Sequence, residues 1–234
     1  MEKISDITKL VMHRGLCERA VENSYKAFLY ACKEPDVWGV ETDIQFTKDG
    51  KCVCFHDKST KRLMGIKSLV RELRFDEMAK YKLVGDNESV VADVCSFKKY
   101  VKICKKYNKT CVIEFKYDFS DKQLLHVLKT IKWHRYLKKC VFISFNTSVL
   151  IKLRRMLPKQ PLELLVTNPV QRPLAFCVEN RIDVSMHWRL IRKDTIKRYN
   201  DFGVKVAVWG VKGYVVALKL AKMGVESITT DRVM

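Results

Sequence analysis

No stretch of this 234-residue chain approaches the roughly 20 consecutive apolar residues that a membrane-spanning helix needs. The opening residues, MEKISDITKLVMHRG, hold no apolar run of signal-peptide length. These absences set the expectation of a soluble, cytoplasmic protein with no stable membrane insertion. No Cys-x-x-Cys occurs, and the nine cysteines are an odd number without compact spacing. Cys52 and Cys54 would share one face of a strand, which is poor disulfide geometry, so reduced thiols are expected. There is no zinc-finger spacing, no RNA-binding aromatic motif and no heptad run, so no dedicated nucleic-acid module is expected. Gly-x-Gly-x-x-Gly is missing too, which counts against an open dinucleotide-binding sheet. Acidic residues are scarce: 26 Asp and Glu stand against 45 Lys and Arg, a formal charge of +19. Such an excess fits nucleic acid, an anionic membrane surface or phosphorylated substrates. Much of it lies in helical-period segments such as FKKYVKICKKYNK and TIKWHRYLKK, where a solvated helix face is the simplest account.

What the chain does have is a repeated alternation, with 47% hydrophobic residues to build a core. Strand-like runs fall at ITKLVMH (7–13), VWGVETDI (37–44), TCVIEF (110–115), KCVFISF (139–145), LELLVT (162–167), IDVSMH (182–187), KVAVWG (205–210) and SITT (227–230). Segments of helical period lie between most of them, at 23–33, 96–107, 121–136, 147–157, 171–179, 191–201 and 213–223. Asn23-Ser24 and Asn146-Thr147 read as helix N-caps. Gly203 and Gly224 fall just past helix ends, where left-handed caps favour glycine. Strands alternating with helices imply a parallel sheet. Eight such units in this length predict an α/β fold, a (β/α)8 TIM barrel. Residues 51–95 depart from the alternation, with a further strand-like run, KCVCFHD, a polar basic region and a short amphipathic piece. They read as a hairpin and a small insertion after the second strand. One barrel domain would then span 1–234, with 59–96 as a cap region. A doubly wound open sheet is the competing architecture.

The stretch GVETDIQFTKDGKCVCFHD (39–57) carries Glu41 and Asp43 on an apolar strand. Side chains two apart share a face, so two like charges meet there and need compensation. Lys or Arg can supply it, and so can a metal cation. In a barrel of this kind the active site lies at the C-terminal strand ends. There the sequence places His13-Arg14-Gly15, Glu41 and Asp43, His56-Asp57, Glu114 and Lys116, Ser144-Phe145, Trp209, and Thr230-Asp231. Glu41, Asp43 and Glu114 would converge as oxygen-only ligands, which suit one divalent cation, Mg2+ or Ca2+, better than zinc. His13 and His56 can act as acid and base near neutral pH. Arg14 and Lys116 can hold a phosphate. Each has a plainer reading: a structural histidine, a salt-bridge network, a Glu114–Lys116 pair, a core tryptophan. The plain readings must explain every residue separately, whereas a phosphoester-cleaving site explains them together.

These residues resemble the glycerophosphodiester phosphodiesterases, a family of (β/α)8 barrels. The family's His-Arg-Gly appears as His13-Arg14-Gly15, and its Glu-Asn-Thr as Glu22-Asn23-Ser24. Its Glu-x-Asp, Thr-x-Asp-Gly and His-Asp appear as Glu41-Thr42-Asp43, Thr47-Lys48-Asp49-Gly50 and His56-Asp57. Glu114-Phe115-Lys116, Ser144-Phe145, Trp209, Gly224-Val225-Glu226 and Thr230-Asp231 follow in order, so the match spans nearly the whole chain. The resemblance implies His13 and His56 as the catalytic pair, Glu41, Asp43 and Glu114 as metal ligands, and Arg14, Lys116 and Trp209 at the substrate. Val21 stands for a frequent Pro and Ser24 for Thr, which keeps a hydroxyl; two further departures bear on substrate range, Gly210-Val211-Lys212 for Thr-Val-Asn and Val90-Val91-Ala92-Asp93 for Pro-Thr-Leu-Glu.

The implied function is metal-dependent hydrolysis of glycerophosphodiesters, deacylated phospholipids, to sn-glycerol 3-phosphate and an alcohol, a step of lipid metabolism. His13 is expected as base and His56 as acid, with water or the glycerol 2-hydroxyl as nucleophile. The expected partner is a small-molecule substrate rather than nucleic acid, and the sequence leaves room for a homo-oligomer. One rival is a phospholipase D-like or inositol-lipid barrel enzyme, which needs an apolar rim facing the membrane. Between His56 and Phe97 the only aromatics are Phe75 and Tyr81, too few for such a rim in the insertion. The other rival is a non-catalytic basic module for anionic polymers, whose binding would weaken steeply with salt.

Overall fold

The structure is a computed structural model and describes residues 2–85, 90–168 and 173–232. In chain order its elements are β1 (Lys9–Met12), α1 (Tyr25–Lys33), β2 (Gly39–Phe46), β3 (Cys52–Cys54), α2 (Lys61–Met64), α3 (Phe75–Met78), β4 (Leu83–Val84), β5 (Val91–Ala92), β6 (Cys95–Ser96), α4 (Phe97–Lys106), β7 (Thr110–Phe115), α5 (Asp121–Trp133), β8 (Cys140–Ser144), α6 (Thr147–Met156), β9 (Leu162–Val166), α7 (Pro173–Asn180), β10 (Asp183–His187), α8 (Lys193–Asn200), β11 (Val206–Val211), α9 (Tyr214–Lys222) and β12 (Ser227–Thr230). Short 3-10 turns fill several joins.

Eight parallel strands run in the order β1-β12-β11-β10-β9-β8-β7-β2, and β2 pairs back onto β1 to close the barrel. The expected TIM barrel is therefore present, and each of the eight expected strands lies on an observed one. Their sequences read as nearly continuous apolar runs because both faces are covered, helices outside and barrel axis inside. The layer between strands and helices holds Leu10, Val40, Ile113, Phe142, Val184 and Val208, all buried. A smaller cluster of Val11, Val112, Val141, Ile143 and Leu165 fills part of the axis. The Tyr100 hydroxyl on α4 donates to the Val40 carbonyl at 2.6 Å, fixing that helix to β2.

The insertion follows β2. The chain turns at Lys48-Asp49-Gly50, with Gly50 at φ +73°, and returns as β3, antiparallel to β2. β3 pairs with β6, and β4 with β5 in a separate ribbon. The sequence reading of this region as polar and basic understates it. Val53, Phe55, Leu63, Met78 and Leu83 pack with Val21 into a core of their own.

Two helix expectations change. The segment expected helical over 121–136 ends at Trp133, because Arg135 takes the left-handed conformation at φ +52°. The helix expected over 171–179 is α7, and residues 171 and 172 lie outside the described residues. Ser24 and Asn146 cap α1 and α6 as expected, accepting from the Ala27 and Ser148 N–H groups.

Candidate active site

The site begins with a backbone turn. After β1, Arg14 sits at φ +55° and Gly15 at φ +85°. A Cβ on Gly15 would lie 2.6 Å from the Ala27 carbonyl carbon, so only glycine fits against α1. This turn aims the Arg14 N–H at Glu41 Oε2, 2.8 Å away. The Arg14 guanidinium reaches Asp43 Oδ2 at 3.2 Å and Glu22 Oε1 at 3.1 Å.

β2 and β7 are neighbours, and Asp43 stands in register with Glu114. The period of two then brings Glu41, Asp43 and Glu114 together, with a carboxylate oxygen of each within 4.8 Å of the others. All three are buried. Asn23, left-handed at φ +55° and itself buried, orients Asp43. Its side-chain amide donates to Asp43 Oδ2 at 3.0 Å, and its carbonyl oxygen accepts from the Thr42 hydroxyl at 2.7 Å. Asn23 was expected to share a helix cap with Ser24. The structure leaves the cap to Ser24 and gives Asn23 to the carboxylate.

Both compensations raised by the sequence bear on this cluster. Lys116 Nζ lies 3.1 Å from Glu114 Oε1 and 3.4 Å from Asp43 Oδ1. Burial opposes ionisation of Asp43, but Arg14 and Lys116 outweigh it and hold the carboxyl at about 2. Two cations do not satisfy three carboxylates. Burial, then Asp43 and Glu114, push Glu41 well above the ordinary carboxylate range. Burial and Asp43 push Glu114 up to about 7. Among the described residues, Glu41 Oε1, Asp43 Oδ1 and Glu114 Oε1 are buried without a hydrogen bond, and only Lys116 meets the last two, which is costly unless something else meets them. An all-oxygen set of three crowded carboxylates, with Lys116 the only cation on two of these oxygens, fits a hard divalent cation.

Each histidine leans on an aspartate. His13 Nδ1 is 2.7 Å from Asp231 Oδ1, and His56 Nδ1 is 2.6 Å from Asp57 Oδ1. This leaves the Nε2 atoms for chemistry. Burial lowers the pKa of His56, and the bond from His13 lowers that of Asp231. Asp57 is held in turn by Arg62 Nε at 2.7 Å. Both terminal nitrogens of Arg62 bond to Glu22, at 2.9 and 2.8 Å. Glu22 also meets Arg14, so an ion-pair chain runs from His56 through α2 of the insertion back to Asp43. Sequence reasoning missed Arg62, and nothing local to its segment marks it.

A cavity of about 270 Å³ opens among these groups. His13, Arg14, Glu41, His56, Glu114, Lys116 and Trp209 line it, while Asp43 lies behind them. Trp209 stands edge-on to Phe145 and to His187, with centroids 6.0 and 4.8 Å apart. Among the described residues its buried indole Nε1 has no hydrogen-bond partner. His187 was read only as a strand residue. Ser144 turns away from the cavity: its hydroxyl donates to the Phe115 carbonyl at 2.7 Å. Lys212 is exposed and does not line the cavity.

Comparison with known proteins agrees with this picture. The glycerophosphoryl diester phosphodiesterase family matches residues 13–234. A glycerophosphodiester phosphodiesterase of Caldanaerobacter subterraneus is 25% identical, over 96% of this chain and 94% of the relative. A crystal structure of a putative glycerophosphoryl diester phosphodiesterase from Agrobacterium tumefaciens superposes with TM-score 0.86 at 16% identity, covering 96% of this chain and 94% of that one. An Oleispira antarctica phosphodiesterase, solved with the product sn-glycerol-3-phosphate, gives 0.85 at 17% identity, covering 98% and 96%. At these identities the two structures bear on the fold, and the family match carries the rest: the chain belongs to the glycerophosphoryl diester phosphodiesterase family.

Proposed function

We propose that this chain hydrolyses glycerophosphodiesters to sn-glycerol 3-phosphate and an alcohol. One divalent cation, Mg2+ or Ca2+, would be held by Glu41, Asp43 and Glu114, with His13 and His56 as the proton carriers. The observation that carries the reading is the buried trio, three carboxylates crowded at one barrel mouth with only Arg14 and Lys116 to offset them and two aspartate-held histidines beside them. The Oleispira neighbour's bound product supports the substrate class.

When bound, the cation would supply positive charge against the negative charge that develops on the phosphoryl oxygens. The chain's own groups do the remainder. Arg14 and Lys116, half-buried at the cavity, hold the phosphodiester anion. Asp231 and Asp57 fix the ring orientation of His13 and His56, and each keeps a proton on Nδ1. One Nε2 removes a proton from the nucleophile, and the other protonates the departing alkoxide. The sequence reading made His13 the base. Burial favours the neutral form of His56, which supports the reverse order, His56 as base and His13 as acid. Trp209 Nε1 offers an unused donor to the substrate. The whole chain would act as one catalytic unit with 59–96 as its cap. Nine free thiols, eight of them buried, fit the reducing cytoplasm.

The test is glycerol 3-phosphate release from a panel of glycerophosphodiesters, with EDTA and after Mg2+ or Ca2+ is restored. EDTA silences turnover and the cation restores it. His13→Ala and His56→Ala each lower turnover about 10²- to 10⁴-fold while circular dichroism stays unchanged. Turnover indifferent to chelation, or near-normal turnover in either variant, overturns the assignment.

A further inference from the structure

We propose that the outer wall of the barrel along α9 and the start of α8 docks on an anionic phospholipid bilayer. A shallow groove of about 850 Å³ runs between the start of α8 and α9. Trp188, Ile191, Val215, Leu218 and Met223 supply its apolar lining. Arg189, Arg192, Lys193, Lys219 and Lys222 supply its charge, and among the described residues no carboxylate lines it. Val215 is 78% exposed, an unusual position for valine. Among the described residues, Arg189, Arg192, Lys193 and Lys219 make no salt bridge, while Lys222 pairs with Glu2. Arg189 lies over the Trp188 ring, 5.5 Å from its centroid. Asp194 is the one acidic residue in the first turn of α8.

Position gives the groove its meaning. Trp188 to Arg192 follow β10, and Lys212 to Val215 follow β11, so both stretches lie at the C-terminal ends of the strands, where the cavity opens. A row of aromatic rings joins the two. Trp188 meets His187 at 6.2 Å, His187 meets Trp209 at 4.8 Å, and Trp209 meets Phe145 at 6.0 Å. Phe145 is 44% exposed at the mouth. Apolar side chains ringed by unpaired cations are the composition that binds at the headgroup level of an anionic membrane. The cations draw the face to the lipid, and Trp188, Ile191 and Val215 enter the boundary. The groove continues to Lys219, Lys222 and Met223 at the far end of α9, so a lipid-bound molecule lies on this wall with the catalytic mouth at its edge. The insertion, where the sequence showed no apolar rim, is not the element used. Docking is read by binding rather than turnover, so it stands apart from the reaction proposed above.

The experiment is sedimentation with phosphatidylcholine vesicles, with and without phosphatidylglycerol. The full chain is compared with Arg192→Glu/Lys193→Glu, with Val215→Asp, and with Lys98→Glu/Lys102→Glu on α4, across the barrel. The last variant has the same net charge as the first. The unaltered protein binds the phosphatidylglycerol vesicles, binds phosphatidylcholine weakly, and releases as salt screens the attraction. Arg192→Glu/Lys193→Glu weakens partitioning about 25-fold or more, roughly fivefold per cation lost. Val215→Asp weakens it as well, and the α4 variant keeps it. All variants turn over soluble substrate as before. No binding by the unaltered protein overturns the proposal and leaves the groove to an acidic protein. An equal loss in the α4 variant overturns it in favour of diffuse charge, as does full binding by the groove variants.

Discussion

Three buried carboxylates at one point carry a cost that pH can expose. Glu114 has its pKa raised from an ordinary 4.5 to about 7, by burial and by Asp43. Between those two values the folded chain keeps a proton that the unfolded chain has released, so stability falls as pH rises through that window. At about 1.36 kcal/mol per pH unit, the full fall is about 3 kcal/mol. Glu41, raised in the same direction by burial and its neighbours, extends the decline to higher pH. A saturating cation holds the trio ionised and removes this source of decline. At a hundred times its Kd the cation adds about 2.7 kcal/mol, or about 5–10 °C in midpoint for a chain of this size. Other groups titrate nearby. Glu163, raised to about 8 by burial and by Asp183 and Glu226, adds a decline that the cation leaves alone. His56, lowered by burial, acts in the opposite sense. The decisive quantity is therefore the difference between urea-unfolding curves in EDTA and in excess Ca2+ from pH 5 to 8. It widens with pH in the unaltered protein. In Glu114→Gln, which has no proton to lose there, it shrinks and loses most of its slope. A pH-independent difference, or superposed curves, refutes the reasoning.

Other perturbations have defined outcomes. Gly15→Ala forces a Cβ to 2.6 Å from the Ala27 backbone at φ +85°, and should cost about 2–5 kcal/mol in chemical denaturation. Asn23→Ala leaves Asp43 without its amide donor; a loss of about 1–3 kcal/mol and a weaker Ca2+ titration by calorimetry are expected. Asp231→Asn removes the carboxylate that holds His13 Nδ1; kcat should fall by at least about tenfold with KM little changed, and an equal fall in Asp57→Asn would show that both histidines depend on their partners.

The strands were legible because burial on both faces writes them as unbroken apolar runs, and their observed ends fall close to the expected ones. The carboxylate trio was legible because a period of two on β2 and β7 forces Glu41, Asp43 and Glu114 to one side. What depends on distant contacts was not. The insertion's core needs Val21 from the other side of β2, so its own segment reads as merely polar. The early end of α5 rests on a left-handed Arg135, with no glycine to announce it. Ser144 looked like a site residue because it ends a barrel strand, but its hydroxyl is taken up by the Phe115 carbonyl. Arg62 joins Asp57 to Glu22 across 40 positions of sequence, a link visible only once the chain is folded.

The pairing of His13 with Asp231 spans 218 positions. A ribosome therefore delivers the histidine long before the residue that steadies it. The strand that carries it, β1, waits as long for one of its two flanking neighbours, β12. A nascent chain can assemble the carboxylate trio from β2 and β7 and still lack an oriented His13. Under the proposed reaction, turnover would then wait for the last strand of the barrel to be made.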